Sequence, residues 1–127
     1  MSHFTTIRTE IYDLEILRET LTDLGFKTKE GDVFVGDHRE GRPVDLAFGI
    51  DSQNLLGFRR DPGKKNYSIK GPTSLLTQDA TKRLINMIQQ EYAYRKVLHE
   101  TRKRGFSLIQ EERVQPGVIK LVLQKIA

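Results

Sequence analysis

The chain has 127 residues, of which 37% are hydrophobic and 30% charged, with a net charge of +4 and no cysteine. This length suits one domain with its own core, so we predict a single domain over residues 1–127. The composition excludes a disulfide framework and a thiolate metal site. It contains neither an apolar run long enough for membrane insertion nor a secretory signal pattern, and we therefore expect a cytoplasmic protein.

A strand and a helix are predicted at the start of the chain. Residues 4–11, FTTIRTEI, are rich in Thr and Ile and predict the strand. Asp13 is placed to cap a helix, because its carboxylate can accept hydrogen bonds from the amides of the first turn. Leucines follow at helical spacing up to Leu24, and Gly25 suits the position just past a helix end. We therefore expect a helix of about three turns whose leucine stripe faces the core.

Short strands and turns are predicted over residues 26–69. The clearest strand is 44–50, VDLAFGI, in which apolar residues alternate with others. Residues 55–59 and 66–70 are predicted to form a hairpin around the turn Asp61-Pro62-Gly63. Proline presets the turn and glycine accepts the positive φ that it requires. The centre of the chain is therefore predicted to be a meander of antiparallel strands.

A long helix and a last hairpin are predicted in the final third. The helix is expected to start at residues 72–74 and to run to Arg104, ending at Gly105. Strands 106–113 and 118–126 would form the hairpin around Gln115-Pro116-Gly117. The residues predicted to pack the long helix against the sheet are Leu76, Ala80, Leu84, Met87, Ile88, Tyr92, Tyr94, Val97 and Leu98.

These elements predict an α+β fold of one domain. An antiparallel sheet would carry two helices, one of them long, packed on one face. The order along the chain would be β-α-β-meander-α-β-β.

Glu91 is the most unusual residue of the long helix, since it projects near the centre of the apolar face. A charge there is costly unless it is paired. One interpretation is a polar pocket in which Glu91 acts as a base or anchors a ligand. The other is an ion pair with Arg95, four residues on, where the helix overhangs the sheet edge. His99 belongs to the same polar part of the helix.

Two basic clusters are candidates for binding. One closes the long helix, where cations also complement the negative end of the helix dipole. The other flanks the central hairpin turn, and the sequence does not tell whether the two meet. The full set of candidate binding residues is Arg59, Arg60, Lys64, Lys65, Glu91, Arg95, His99, Arg102 and Arg104.

No catalytic motif, metal site or cofactor site is assigned. The segment 57–65 resembles a phosphate loop, but five residues separate its glycines where four are needed, and no Ser or Thr follows the lysine. His3, His38 and His99 lie in three different segments without ligand spacing. We therefore favour a protein without enzymatic activity, while acid–base residues distant in sequence leave an enzyme open.

Three functions remain as hypotheses. The first is an accessory protein that binds a partner protein through the basic hairpin and helix end, with a homodimer through a sheet edge as an additional hypothesis. The second is binding of nucleic acid or another polyanion, which the basic charge permits although no recognition motif supports it. The third is an enzyme with a polar pocket around Glu91.

Three stretches occur together in a combination that resembles a known family. They are MSHFTTIRTEI at 1–11, LTDLGF at 21–26 and YAYRKVLHET at 92–101, the last followed by Gly105-Phe106. The chain resembles the small conserved proteins of cyanobacteria, other bacteria and algal plastid genomes that share a domain of unknown function. The resemblance implies a strand, a leucine helix, a long Tyr-Ala-Tyr helix and a closing hairpin, in that order. It implies no catalytic residues, and a location in the cytoplasm or, for a plastid-encoded chain, the stroma.

Overall fold

A five-stranded antiparallel sheet forms the centre of the computed structural model, with strand order β1-β5-β4-β3-β2. The structure describes residues 4–35, 42–51, 54–115 and 117–126. The strands of this sheet are β1 Phe4–Arg8, β2 Thr28–Val35, β3 Arg42–Gly49, β4 Leu55–Arg59 and β5 Ser68–Pro72. The predicted meander is therefore confirmed.

The first strand ends three residues earlier than predicted, at Arg8. The reason is a change of hydrogen-bond partners at Thr9, whose hydroxyl donates to the carbonyl of Tyr67 at 2.6 Å and accepts from the amide of Ile11 at 3.1 Å. A side chain that offers the backbone such partners ends a regular strand. The chain then leaves the sheet and enters the first helix.

The predicted leucine helix is α1, Leu14–Asp23. The Asp13 carboxylate accepts from the amide of Ile16 at 3.2 Å, which confirms the predicted N-cap. Gly25 has a φ of +93°, the left-handed conformation that a glycine adopts after a helix end. Leu17 and Leu21 are fully buried, so the leucine stripe does face the core.

Strand register assigns the two faces of the sheet. Opposed residues of an antiparallel pair share a face, and one row across four strands contains Ile7, Ile69, Phe58 and Leu46. The last three of these are completely buried, in a core that also receives side chains from every helix. The other face carries a smaller apolar cluster of Val35, Val44 and Ala47, against which Phe4 and Leu55 pack, and polar and cationic residues beside it.

The single long helix that was predicted is two helices, α2 Thr73–Leu76 and α3 Asp79–Lys103. The Thr77 hydroxyl donates to the carbonyl of Thr73 at 2.8 Å, and the chain turns at Gln78 before α3 begins. The predicted buried stripe is wrong for Ala80, Met87 and Val97, which are exposed. The buried residues of α3 are Thr81, Ile85, Ile88, Tyr92 and Leu98.

The closing hairpin consists of β6 Phe106–Gln115 and β7 Val118–Lys125, as predicted. It forms a separate two-stranded sheet, and within the described ranges it does not pair with the larger one. The hairpin packs against α3 through β6. The α+β fold is confirmed, with three helices where two were predicted. No helix in the described part of the chain is long and apolar enough to cross a membrane.

Candidate functional site

The candidate binding residues fall into three separate groups. The first is on the β4–β5 hairpin, the second on the part of α3 that faces α1 and β6, and the third at the exposed end of α3. These groups contain, in that order, Arg59, Arg60, Lys64 and Lys65; Glu91, Arg95 and His99; and Arg102 and Arg104.

Glu91 is held as an ion pair. Its side chain is 12% exposed and accepts from Arg95 Nη1 at 3.1 Å and from Arg113 Nη1 at 2.7 Å. The hydrogen bond from Arg113 is the main reason that the pKa of Glu91 lies below its usual value, and it outweighs the effect of burial, which raises the pKa. A carboxylate with a lowered pKa and both oxygens occupied is a poor general base. Its geometry corresponds to the ion-pair interpretation.

Arg95 and His99 connect α3 to α1. Arg95 Nη2 lies 3.0 Å from Asp23 Oδ2, and His99 Nε2 lies 3.2 Å from Glu19 Oε2. Both contacts therefore hold two helices side by side. Arg113, which completes the network from β6, was not found from the sequence, because nothing in the hairpin pattern tells which of its residues faces Glu91.

Tyr12 joins the central hairpin to the long helix. The ammonium groups of Lys65 and Lys96 lie 4.5 Å and 4.7 Å from the centroid of its ring, within cation–π range. Lys96 Nζ also lies 3.0 Å from Glu100 Oε1, and this hydrogen bond is the main reason that the pKa of Lys96 is raised. The hairpin thus meets α3 at Lys96. Arg102 is about 9 Å further along the helix axis, at 1.5 Å per residue.

The face of the five-stranded sheet opposite the helices is basic. Arg8, Ser68 and Arg59 form one row across β1, β5 and β4, and strands about 4.8 Å apart place the two arginine Cα atoms about 10 Å apart. Lys70 lies on the same face, two residues after Ser68 on β5. The Arg42 guanidinium lies 5.1 Å from the centroid of the Phe4 ring, next to this row. Arg8, Arg42, Arg59 and Lys70 are named here the basic sheet face.

Two neighbouring cavities open on the basic sheet face. One, of about 470 Å³, lies between β1 and the β4–β5 turn, and the other, of about 270 Å³, lies over β1, β4 and β5. Thr6 and Asp61 contribute to both. The larger cavity is lined by Thr6, Arg8, Thr9, Glu10, Asp61, Lys64, Lys65, Asn66, Tyr67 and Ser68. It brings two of the predicted cations, Lys64 and Lys65, next to Arg8, which sequence analysis did not select.

The cations differ in how fully they are neutralised. Arg59 and Lys70 have carboxylates at 3.4 Å, from Asp45 and Asp61. Arg8 and the side chain of Lys64 make no ion pair with any residue in the described ranges. These two charges are therefore available to a ligand. The alternation of β1 contained the signal for Arg8, but its position beside the hairpin turn depends on the pairing of β1 with β5.

Two further cavities are present, and the first of them shares Pro43 and Arg59 with the cavity of about 270 Å³. One, of about 500 Å³, involves Arg59 and Arg60 on the side of the hairpin that faces Glu30 and Leu14. The other is an apolar groove of about 280 Å³ between α3 and β7, lined by Gln90, Ala93, Tyr94, Val97, Gly117, Ile119 and Leu121. It is named here the α3–β7 groove. Glu91, Arg102 and Arg104 line none of these four cavities.

The histidines do not come together with carboxylates as a metal site within the described ranges. His99 contacts Glu19 alone among the acidic residues there. His3 and His38 lie outside the described residues.

Comparison with known proteins gives a family and no activity. A family model described as a protein of unknown function (DUF1257) matches residues 20–122. The "Uncharacterized protein ycf35" of Pyropia yezoensis is 32% identical over 128 residues, covering 98% of each chain. Proteins with the same description are 28% identical in Cyanophora paradoxa and 29% identical in Guillardia theta, again covering 98% of each chain. No solved structure matches the chain.

Proposed function

The chain belongs to the DUF1257 family of proteins of unknown function, and on this premise we propose that it is a non-enzymatic accessory protein whose basic sheet face binds an acidic surface of a partner protein. The family membership predicted from the terminal stretches is confirmed. The family description names no activity, so the proposal rests on the geometry of the surface. We place the protein in the cytoplasm, or in the stroma where the gene is in a plastid.

The observation that carries the proposal is the row Arg8–Ser68–Arg59 on the face of the sheet opposite the helices. Antiparallel sheets often leave one face to solvent. Here that face has cations beside its smaller apolar cluster. Arginine is enriched in protein interfaces because its planar guanidinium binds carboxylates through two hydrogen bonds. Arg8 and Lys64 have no ion-pair partner in the described ranges. A partner with carboxylates at matching positions would neutralise them.

A protein partner suits this surface better than a nucleic acid does. Glu10, Asp45 and Asp61 lie among the cations, so a ligand must match a mixed pattern of charges. A folded protein surface can place its carboxylates opposite the cations alone, whereas a phosphate backbone is uniformly negative. Single strands are bound through aromatic rings on which bases stack. Tyr67 is 5% exposed, and the Phe4 ring packs against the cluster of Val35, Val44 and Ala47 with Arg42 5.1 Å from its centroid. Neither ring therefore offers a base a free surface for stacking.

Binding of nucleic acid or another polyanion is the second candidate. The larger cavity on the basic sheet face favours it, because Arg8, Lys64 and Lys65 line it together with the hydroxyls of Thr6 and Ser68. Cations and hydroxyl groups are common donors to phosphate oxygens. This candidate predicts an affinity that decreases steeply with salt concentration.

The enzyme hypothesis is the weakest of the three. The enzyme hypothesis needs a pocket around Glu91, but this carboxylate accepts hydrogen bonds from the guanidinium groups of Arg95 and Arg113 instead. It lines none of the four cavities described above. We therefore propose no reaction for this chain.

Affinity capture tests the proposal. The full chain is immobilised and exposed to lysate of its source organism, with and without nuclease, at about 50 and 200 mM salt. We expect one discrete protein that survives nuclease treatment and carries an acidic surface. Recovery of nucleic acid that disappears at the higher salt concentration would favour the second candidate, and the absence of any captured protein would contradict the proposal.

A further inference from the structure

We propose that the chain forms a symmetric homodimer in which the free edge of β7 pairs with β7 of a second copy. The α3–β7 groove of each protomer would then be filled by α3 of its partner. This inference goes beyond the proposed function and uses a different surface, so either can fail without the other.

The closing hairpin presents an unpaired edge. Among the described residues, β7 pairs with β6 alone, and α3 packs on β6. An isolated two-stranded sheet is marginal in water and is stabilised by further strands or by a helix packed against it. Here α3 supplies that packing at β6, and the outer edge of β7 has no strand of the described ranges beside it. The sequence of β7 is VIKLVLQK, eight residues rich in β-branched and leucine side chains and without proline. Such an edge is an exposed template for another strand.

The two outer edges of the hairpin are not equivalent. Both irregularities of its register place the extra residue in β6, at Ile109 and at Val114. Bulges twist an edge and interrupt its hydrogen-bond groups, which protects it from pairing with another chain. β7 has no bulge along its paired length. The β7 edge is therefore the one open to a further strand.

The groove next to this edge is apolar on both sides. Ala93 and Val97 contribute from α3, and Ile119 and Leu121 from β7. Val97 is 44% exposed, and Met87, two to three turns earlier on α3, is 39% exposed. An apolar stripe on the outer side of a helix, beside an unpaired strand, is typical of a surface that another protein covers.

A second copy of this chain fits both features at once. In an antiparallel pair centred on Leu121, Ile119 would oppose Leu123 of the other copy on the groove side. On the opposite side Lys120 would oppose Val122, so no like charges face each other. A two-fold axis perpendicular to the joined sheet places both α3 helices on the same face. Each exposed α3 stripe would then lie against the groove of the other protomer.

Sedimentation velocity of the full chain over about 1–200 µM tests the dimer, since interfaces of ordinary size give micromolar or tighter affinity. We expect a concentration-dependent dimer for the wild type and at least a tenfold weaker association for Val97→Glu. Ile109→Glu is the matched control, because Ile109 is 58% exposed on the bulged strand. It should dimerise as the wild type does. Should Val97→Glu fail to fold, Ala93→Glu places the same charge in the same groove.

A cysteine variant locates the contact. The chain contains no cysteine, so Leu121→Cys introduces a single thiol that would meet its copy at the two-fold axis, within reach of a disulfide. We expect a covalent dimer under mild oxidation, and none for Ile109→Cys. A monomer at every concentration would overturn the proposal. A dimer that Val97→Glu leaves intact, or that Ile109→Glu disrupts equally, would also overturn it.

Discussion

The hydroxyl of Tyr92, in the middle of α3, accepts a hydrogen bond from the backbone amide of Asp13 at 3.0 Å. It also accepts from the amide of Tyr12 at 3.2 Å. Tyr92 itself is 4% exposed, so the long helix holds the start of α1 through a buried side chain. The Tyr-Ala-Tyr stretch, one of those on which the family resemblance rests, thus has a structural role at its first tyrosine.

Tyr92→Phe removes this acceptor and keeps the ring. Two amides in a part-buried place then lose their partner, which costs about 1–3 kcal/mol of the free energy of unfolding. Urea denaturation measures this as a lower midpoint with an unchanged slope. Tyr94→Phe is the control, because its hydroxyl bonds Glu111 at an exposed position and should cost less than about 1 kcal/mol. Equal effects of the two changes would contradict this role of Tyr92.

Glu91→Gln tests the ion pair between α3 and β6. Since the pKa of Glu91 is lowered in the folded chain, its ionisation favours folding. This stabilisation is present above the unfolded glutamate pKa of about 4.3 and is lost as the pH falls through the lower folded value. We expect Glu91→Gln to lower the free energy of unfolding by about 1–2 kcal/mol at pH 7, and the difference from the wild type to shrink at acid pH.

Urea denaturation at neutral and acid pH measures that difference. Glu112→Gln is the control, because Glu112 is exposed on β6 and makes no ion pair in the described ranges. A Glu91→Gln variant with the same loss at both pH values would show that the charge of Glu91 is not what stabilises the contact.

Gly57→Ala tests the packing beneath the basic sheet face. A methyl group at Gly57 would lie within 2.7 Å of Val44 Cβ, closer than side-chain atoms approach. Overpacking of this kind costs about 1–3 kcal/mol, and we expect thermal denaturation to show it. Gly49→Ala is the control, since the nearest atom there would be 3.5 Å away. If both variants melt together, the close approach of Val44 is not limiting.

Local patterns predicted the elements well, because caps, turns and alternation act between neighbouring residues. Asp13, Gly25 and the Asp61-Pro62-Gly63 turn all have the predicted role, and Lys64 N donates to Asp61 O at 3.0 Å as a turn requires. The break between α2 and α3 was missed. The helical pattern continued through Thr77, and a hydroxyl bond back to Thr73 is not visible in periodicity.

The candidate site was less predictable, since it depends on which strands and helices become neighbours. Projection of α3 found the pair Glu91–Arg95, but Arg113 approaches from a different element. The basic hairpin does reach α3, yet at Lys96 through Tyr12 and not at the helix end. Arg8 on β1 lies near the predicted Arg59 on β4 because β5 pairs with both of these strands. The spacing of residues along the sequence does not indicate these contacts between different strands and helices.

The amount of partner protein captured by two variants of equal charge tests the central proposal most directly. Arg8→Glu with Lys64→Glu reverses two charges of the large sheet cavity that have no ion-pair partner in the described ranges. Arg102→Glu with Arg104→Glu makes the same change of net charge at the exposed end of α3. We predict that the first variant loses at least tenfold in captured protein while the second retains the wild-type amount. Equal retention, or a loss only in the second variant, would contradict binding through the basic sheet face.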